Sequence, residues 1–191
     1  MNRREALQRA AMVLGYAVAT PTLVGVLNGC KATPELAFKP VFFSEDQARL
    51  VAEVAEIIIP KTDTPGAKDV GVPGFIDLML KDCYKKEDQD RYLAGLAEFD
   101  NAAKTAYGEA FLDLDPAQQA EHVKKVHDAA IEATRSGELK ERPFILTTKE
   151  LTVTGFFTSE PGATQVLQYA PVPGAYHGCL PLAEVGKTWA T

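Results

Sequence analysis

The run Ser44-Glu45-Asp46-Gln47-Ala48-Arg49-Leu50-Val51-Ala52-Glu53-Val54-Ala55-Glu56-Ile57-Ile58-Ile59-Pro60 decides the class of fold. Ser44 with Gln47 three residues on forms a capping box, in which each side chain satisfies the other's free backbone N–H and a helix can start. Behind it Leu50, Val51, Val54, Ile57 and Ile58 recur at intervals of three and four, one face of a helix. Pro60 stops that helix, because its ring clashes with the preceding turn and it has no N–H to give.

The same grammar extends downstream. Residues 60–74 hold Pro60, Pro65, Pro73, Gly66, Gly71 and Gly74 and read as loop. Pro73 suits a first helical turn, and Ile76, Met79, Leu80 and Cys83 then share a face. A third helix, Asp88 to Tyr107, aligns Tyr92, Leu96, Phe99, Ala103 and Ala106, and Gly108 supplies a left-handed stop. Asp115-Pro116 with Gln118 opens a fourth, running through Ala120, Val123, Val126, Ala130 and Ile131 to about Thr134. Residues 143–159 conflict with this pattern. Phe144, Ile145, Thr147, Thr148, Thr152 and Val153 favour a strand, yet they do not alternate and no second strand is evident to pair with them. Beyond Glu160-Pro161-Gly162 the chain is expected to be extended coil.

Upstream, the first thirty residues are laid out for export. Arg3, Arg4 and Arg9 precede a charge-free run from Ala10 to Cys30, an n-region followed by an h-region. Asn2-Arg3-Arg4-Glu5-Ala6-Leu7-Gln8 resembles the twin-arginine signal, read by a translocase that passes folded cargo. Ala17-Val18-Ala19 is one candidate cleavage site. Leu27-Asn28-Gly29-Cys30 fits better and resembles a lipobox, whose cysteine would carry the lipid. The competing expectation is an uncleaved anchor over residues 10–28, which Gly15, Pro21 and Gly25 weaken. Residues 1–29 are therefore expected to be a signal peptide, 30–43 a tether, and 44–191 the domain.

The chain has 191 residues and a net charge of −6, enough for one globular domain and too short for a dinucleotide domain joined to a substrate domain. Setting aside residues 1–29, with three arginines and one glutamate, leaves 17 basic against 25 acidic side chains, a net charge of −8. Such acidity argues against nucleic-acid binding. An oxidising periplasm leaves Cys83 and Cys179 three options: an internal bridge, a bridge from Cys179 to a partner chain, or two free thiols. A core-facing Cys83 and a Cys179 in exposed coil favour the bridge to a partner.

Catalytic and metal patterns are missing from the sequence. There is no dinucleotide fingerprint, phosphate loop or haem-attachment motif, and two mature cysteines cannot hold an iron–sulfur cluster. His122 and His127 lie about 140° apart on a helix and read as surface histidines. His177 beside Tyr176 and Cys179 lacks a rigid orienting element, so no Cys/His nucleophile is expected. Asp63, Asp69 and Asp77 lack calcium-loop spacing and read as solvated loop carboxylates.

Ile57-Ile58-Ile59-Pro60-Lys61-Thr62-Asp63-Thr64-Pro65-Gly66-Ala67, with Val72-Pro73 and Phe75-Ile76-Asp77, resembles the segment that marks the gluconate 2-dehydrogenase subunit 3 family. So do Lys149-Glu150-Leu151-Thr152, Gly155-Phe156-Phe157-Thr158-Ser159, Tyr169, Pro173-Gly174-Ala175-Tyr176 and Gly178-Cys179. The resemblance implies a mainly α domain of about five helices, with long Pro/Gly-rich loops and an extended C-terminal coil, and residues 143–158 helical. It also implies a non-catalytic subunit of a flavin-dependent sugar or polyol dehydrogenase, which the export signal and lipobox would place in the periplasm, attached to a membrane. The FAD would belong to the large partner, and haem c to a third, cytochrome subunit or be replaced by another acceptor. Pro60, Thr62, Asp63, Pro65, Gly66, Val72 and Pro73 on the loop, with Tyr169, Tyr176, His177 and Cys179 on the coil, are the expected partner surface. The alternative function is a free-standing periplasmic lipoprotein that binds a small ligand.

Overall fold

The computed structural model describes residues 36–139, 141–172, 174–175 and 178–190. Five helices of twelve residues or more carry the fold: α1 Glu45–Ile58, α2 Val72–Cys83, α3 Lys86–Tyr107, α4 Pro116–Arg135 and α5 Phe144–Phe157. A 3₁₀ turn spans Phe111–Asp113, a π turn Gly162–Val166, and a short α6 covers Leu182–Val185. Among the described residues the only strand-like pairing is an isolated parallel bridge between Gln168 and Trp189.

Local chemistry sets the ends of these helices. Ser44 Oγ accepts from Gln47 N at 3.3 Å, and Ser44 N donates to Gln47 Oε1 at 3.0 Å. Asp115 and Gln118 repeat the reciprocal arrangement at the start of α4. Gly108 closes α3 with φ 84°, a left-handed conformation that a side chain would strain. The helices start and stop close to their expected positions because these signals are short-range.

The helix at 144–157 overrules its residues' strand propensity, and its place in the fold explains why. α5 packs against α1, α2, α3 and α4, burying Phe144, Ile145, Leu146, Leu151 and Phe156 together with Thr147, Thr148 and Thr152, while Lys149, Glu150, Val153 and Thr154 stay exposed. Threonines on the buried face and Val153 on the exposed one blur the amphipathic stripe, while several β-branched residues cost only about half a kcal/mol each in a helix. Thr148 Oγ1 donates to Phe144 O at 2.9 Å and lies 2.8 Å from Tyr92 Oη. Since the Thr148 proton is committed, Tyr92 is the donor. Burial pushes its phenol well above the ordinary range, so it remains a donor at any physiological pH.

A close approach joins α3 to α5. A Cβ at Gly95 would meet Phe144 Cβ at 2.6 Å, so only glycine fits. Phe144 then stacks edge-on against Tyr92 with centroids 5.0 Å apart, and Phe99 links it onward to Phe111.

Several sequence expectations are corrected in the core. Asp77, expected as a solvated loop carboxylate, is buried within α2. Its oxygens accept the backbone N–H groups of Val41, Phe42 and Phe43 at 2.8, 3.1 and 2.9 Å. The segment 36–43, expected as tether, is thereby held against α2, with Phe43 buried and Phe38 lying over Gly74. His122, expected at the surface, is also buried. Its ring sits among Phe99, Tyr107 and Phe111, and its Nε2 lies 3.0 Å from Phe99 O. Ala120, expected on that inner face, is exposed, because α4 is rotated to bring His122 inward.

Candidate functional site

The loop between α1 and α2 is fixed from below by a carboxylate on the last turn of α1. Glu56 accepts Lys61 N at 3.1 Å and Lys68 N at 2.9 Å, spanning both arms of the loop. Any Cβ on Gly66 would collide with that carboxylate, so the glycine lets the loop close over it. Asp69 accepts Gly66 N at 3.1 Å and pairs with Lys61 Nζ at 3.0 Å. The Lys61 ammonium, then the Gly66 N–H, hold the Asp69 carboxyl below the ordinary range. A depressed carboxyl contributes at neutral pH and loses its effect as the pH falls through its folded-state value. Backbone bonds Ala67 N to Ile59 O and Thr62 N to Thr64 O complete a rigid turn.

This places the expected loop residues in two groups. Pro60, Thr62 and Asp63 stand exposed at the tip and Pro65 is half-buried. Gly66, Val72 and Pro73 are buried and cannot offer contact area; the last two form the first turn of α2 under the loop. Replacing Glu56 by alanine frees two backbone donors on opposite arms, and cleavage between Pro60 and Asp69 by a nonspecific protease should rise about tenfold, with helix content unchanged. An unchanged cleavage rate would show that the loop is held by other contacts.

The coil residues are separate. Tyr169 and Cys179 are exposed, while Tyr176, His177, Arg3, Arg4 and Cys30 lie outside the described residues. Cys83 is exposed as well, and neither it nor Cys179 is bonded. The expectation that Cys83 faces the core fails because Cys83 ends α2, one turn beyond Leu80, the last buried residue of that helix. Val172, Leu180 and Trp189, not singled out from the sequence, are exposed on the same C-terminal segment. Trp189, the chain's single tryptophan, was the signal available for it.

A pocket of about 210 Å³ opens between Tyr84, Asp88, Arg91, Arg142 and Phe144. Its guanidinium groups are engaged: Arg91 with Asp88 and Glu141, Arg142 with Glu150. His127 joins α4 to α5, its Nδ1 3.1 Å from Asp128 and its Nε2 2.9 Å from Lys149 Nζ. No three His, Cys, Asp or Glu side chains among the described residues converge in a way that could hold a metal ion. None of the described helices is long and apolar enough to cross a membrane.

The architecture defines a small α-helical domain with a braced surface loop and a displayed C-terminal segment. The family model for gluconate 2-dehydrogenase subunit 3 matches residues 45–174, from the first residue of α1 into the C-terminal coil, and the chain belongs to that family. No curated protein and no solved structure matches it.

Proposed function

We propose that this chain is the small, non-catalytic subunit of a periplasmic flavin-dependent sugar or polyol dehydrogenase of the glucose-methanol-choline class. In this reading it supports folding, twin-arginine export and membrane attachment of the catalytic subunit. The observation that carries the proposal is membership of the subunit 3 family across α1 to α5. The FAD belongs to the large subunit, and electrons leave through a cytochrome c subunit or another membrane acceptor. A flavin enzyme folds around its cofactor before export, and a twin-arginine signal suits folded cargo. Arg3 and Arg4 on this chain would then direct both subunits to the translocase. Lipid on Cys30 would hold the complex at the membrane, and the exposed loop tip at Pro60, Thr62 and Asp63 would contact the partner.

Replacing Arg3 and Arg4 together by lysine tests the export role. Dehydrogenase activity should move from the periplasmic and membrane fractions to the cytoplasm, with total activity largely retained. Normal periplasmic activity in the double variant would refute the carrier role.

A further inference from the structure

The C-terminal segment differs from the rest of the domain in charge and in exposure. Residues 161–190 contain two charged side chains, Glu184 and Lys187, which cancel, within a mature chain of net charge −8. The described ends of the segment are nevertheless fastened together. Gln168 N donates to Thr188 O at 3.0 Å and Ala190 N to Gln168 O at 2.9 Å, so the end of the chain returns to the start of the coil. Gln168 Nε2 donates to Val185 O and Lys187 O, and Lys187 Nζ donates to Gln165 O at 2.9 Å. The Gln168 amide and the Lys187 ammonium thus fasten the closure.

Four apolar side chains of the closed loop stand in water. Val172 is 86 % exposed, Tyr169 52 %, Leu180 51 % and Trp189 51 %. Isolated exposed hydrophobics are ordinary, but four on one fastened, neutral segment mark a surface that another molecule covers. Aromatic anchors with few charges are also the composition of an interface core.

We infer that this loop, Gln168 to Trp189, is the surface that docks on the catalytic subunit, with Tyr169, Val172, Leu180 and Trp189 as its anchors. The inference rests on the proposed subunit function and assigns its interface. Charge selects this occupant over two others. A second copy would bring two bodies of charge −8 together, and the anionic surface of a bilayer would repel the same charge. A protein partner with an uncharged apolar patch meets no such opposition. The loop tip at Pro60 to Asp63 then makes a subsidiary contact, since it presents little apolar area.

The test uses the full chain, affinity-tagged and co-expressed with the catalytic subunit, as wild type, Val172→Glu, Trp189→Ala, and Glu121→Lys on α4 as a control. A carboxylate at position 172 and loss of the indole should each cut the recovered catalytic subunit by about tenfold or more, with helical circular dichroism and melting unchanged, while the control recovers it fully. Full recovery with both loop variants overturns the docking surface. Failure of wild type itself to recover the catalytic subunit overturns the subunit function instead. Should Trp189 fluorescence shift blue on phosphatidylethanolamine–phosphatidylglycerol vesicles, or Val172→Glu dissociate a dimer of this chain in sedimentation, the loop has another occupant and the inference fails.

Discussion

Replacing Asp77 by alanine should lower the stability of the domain by about 3 kcal/mol or more, because three backbone donors of the 41–43 segment lose their acceptor together. The cost exceeds that of an ordinary lost hydrogen bond, since an ionised acceptor is removed from donors that the fold holds in place. At this chain length the change corresponds to a fall in Tm of about 6–12 °C. Asp77→Asn should lie between wild type and alanine, since one oxygen can still accept while the amide NH₂ faces an N–H. Thermal unfolding followed by circular dichroism reads both. A melting temperature within about 1 °C of wild type for Asp77→Ala would show that Phe43 and its neighbours hold the segment by packing alone.

The second large effect is expected at Phe144. Its ring contacts those of Tyr92 and Phe99 and starts the central helix, while Gly95 is kept bare to admit its Cβ. Truncation to alanine removes a buried ring at a junction that α3 and α5 share and cannot easily close, and should cost about 3–5 kcal/mol. Phe144→Leu keeps much of the volume and should cost clearly less. Urea unfolding should show the loss in the midpoint with an unchanged slope. A loss under about 1 kcal/mol would mean that the rings do not enclose the core as described.

These two residues also show what the sequence could and could not reveal. The starts of α1 and α4 were legible because Ser44 with Gln47, and Asp115 with Gln118, act within four residues of one another. The apolar stripe of α3 was legible because one face of it meets water. α5 was not, since the threonines on its buried face and Val153 on its exposed one blur the stripe and imitate a strand. Only the family resemblance pointed to its helix. Asp77 and His122 were misread for a related reason. Whether a polar side chain is buried depends on donors and acceptors supplied by segments 23 to 36 residues away. Asp77 answers to Val41, Phe42 and Phe43, and His122 to Phe99, pairings that no local pattern encodes.

The loop shows both outcomes within fifteen residues. Its prolines and glycines marked it as loop and as the segment most specific to the family, but they did not separate its roles. Gly66, Val72 and Pro73 serve the fold, Glu56 braces the loop from outside the motif, and the tip at Pro60 to Asp63 faces water. At the C-terminus the aromatic coil was legible as composition. That Trp189 returns to pair with Gln168 depends on a contact across about twenty residues and became visible only in the structure.

The most direct test of the subunit function is dehydrogenase activity in the periplasmic and membrane fractions of cells that express the flavin-dependent catalytic subunit with and without this chain. The proposed function predicts full activity in those fractions with the chain, and without it a catalytic subunit that is inactive or confined to the cytoplasm. Equal periplasmic activity in both strains would contradict it.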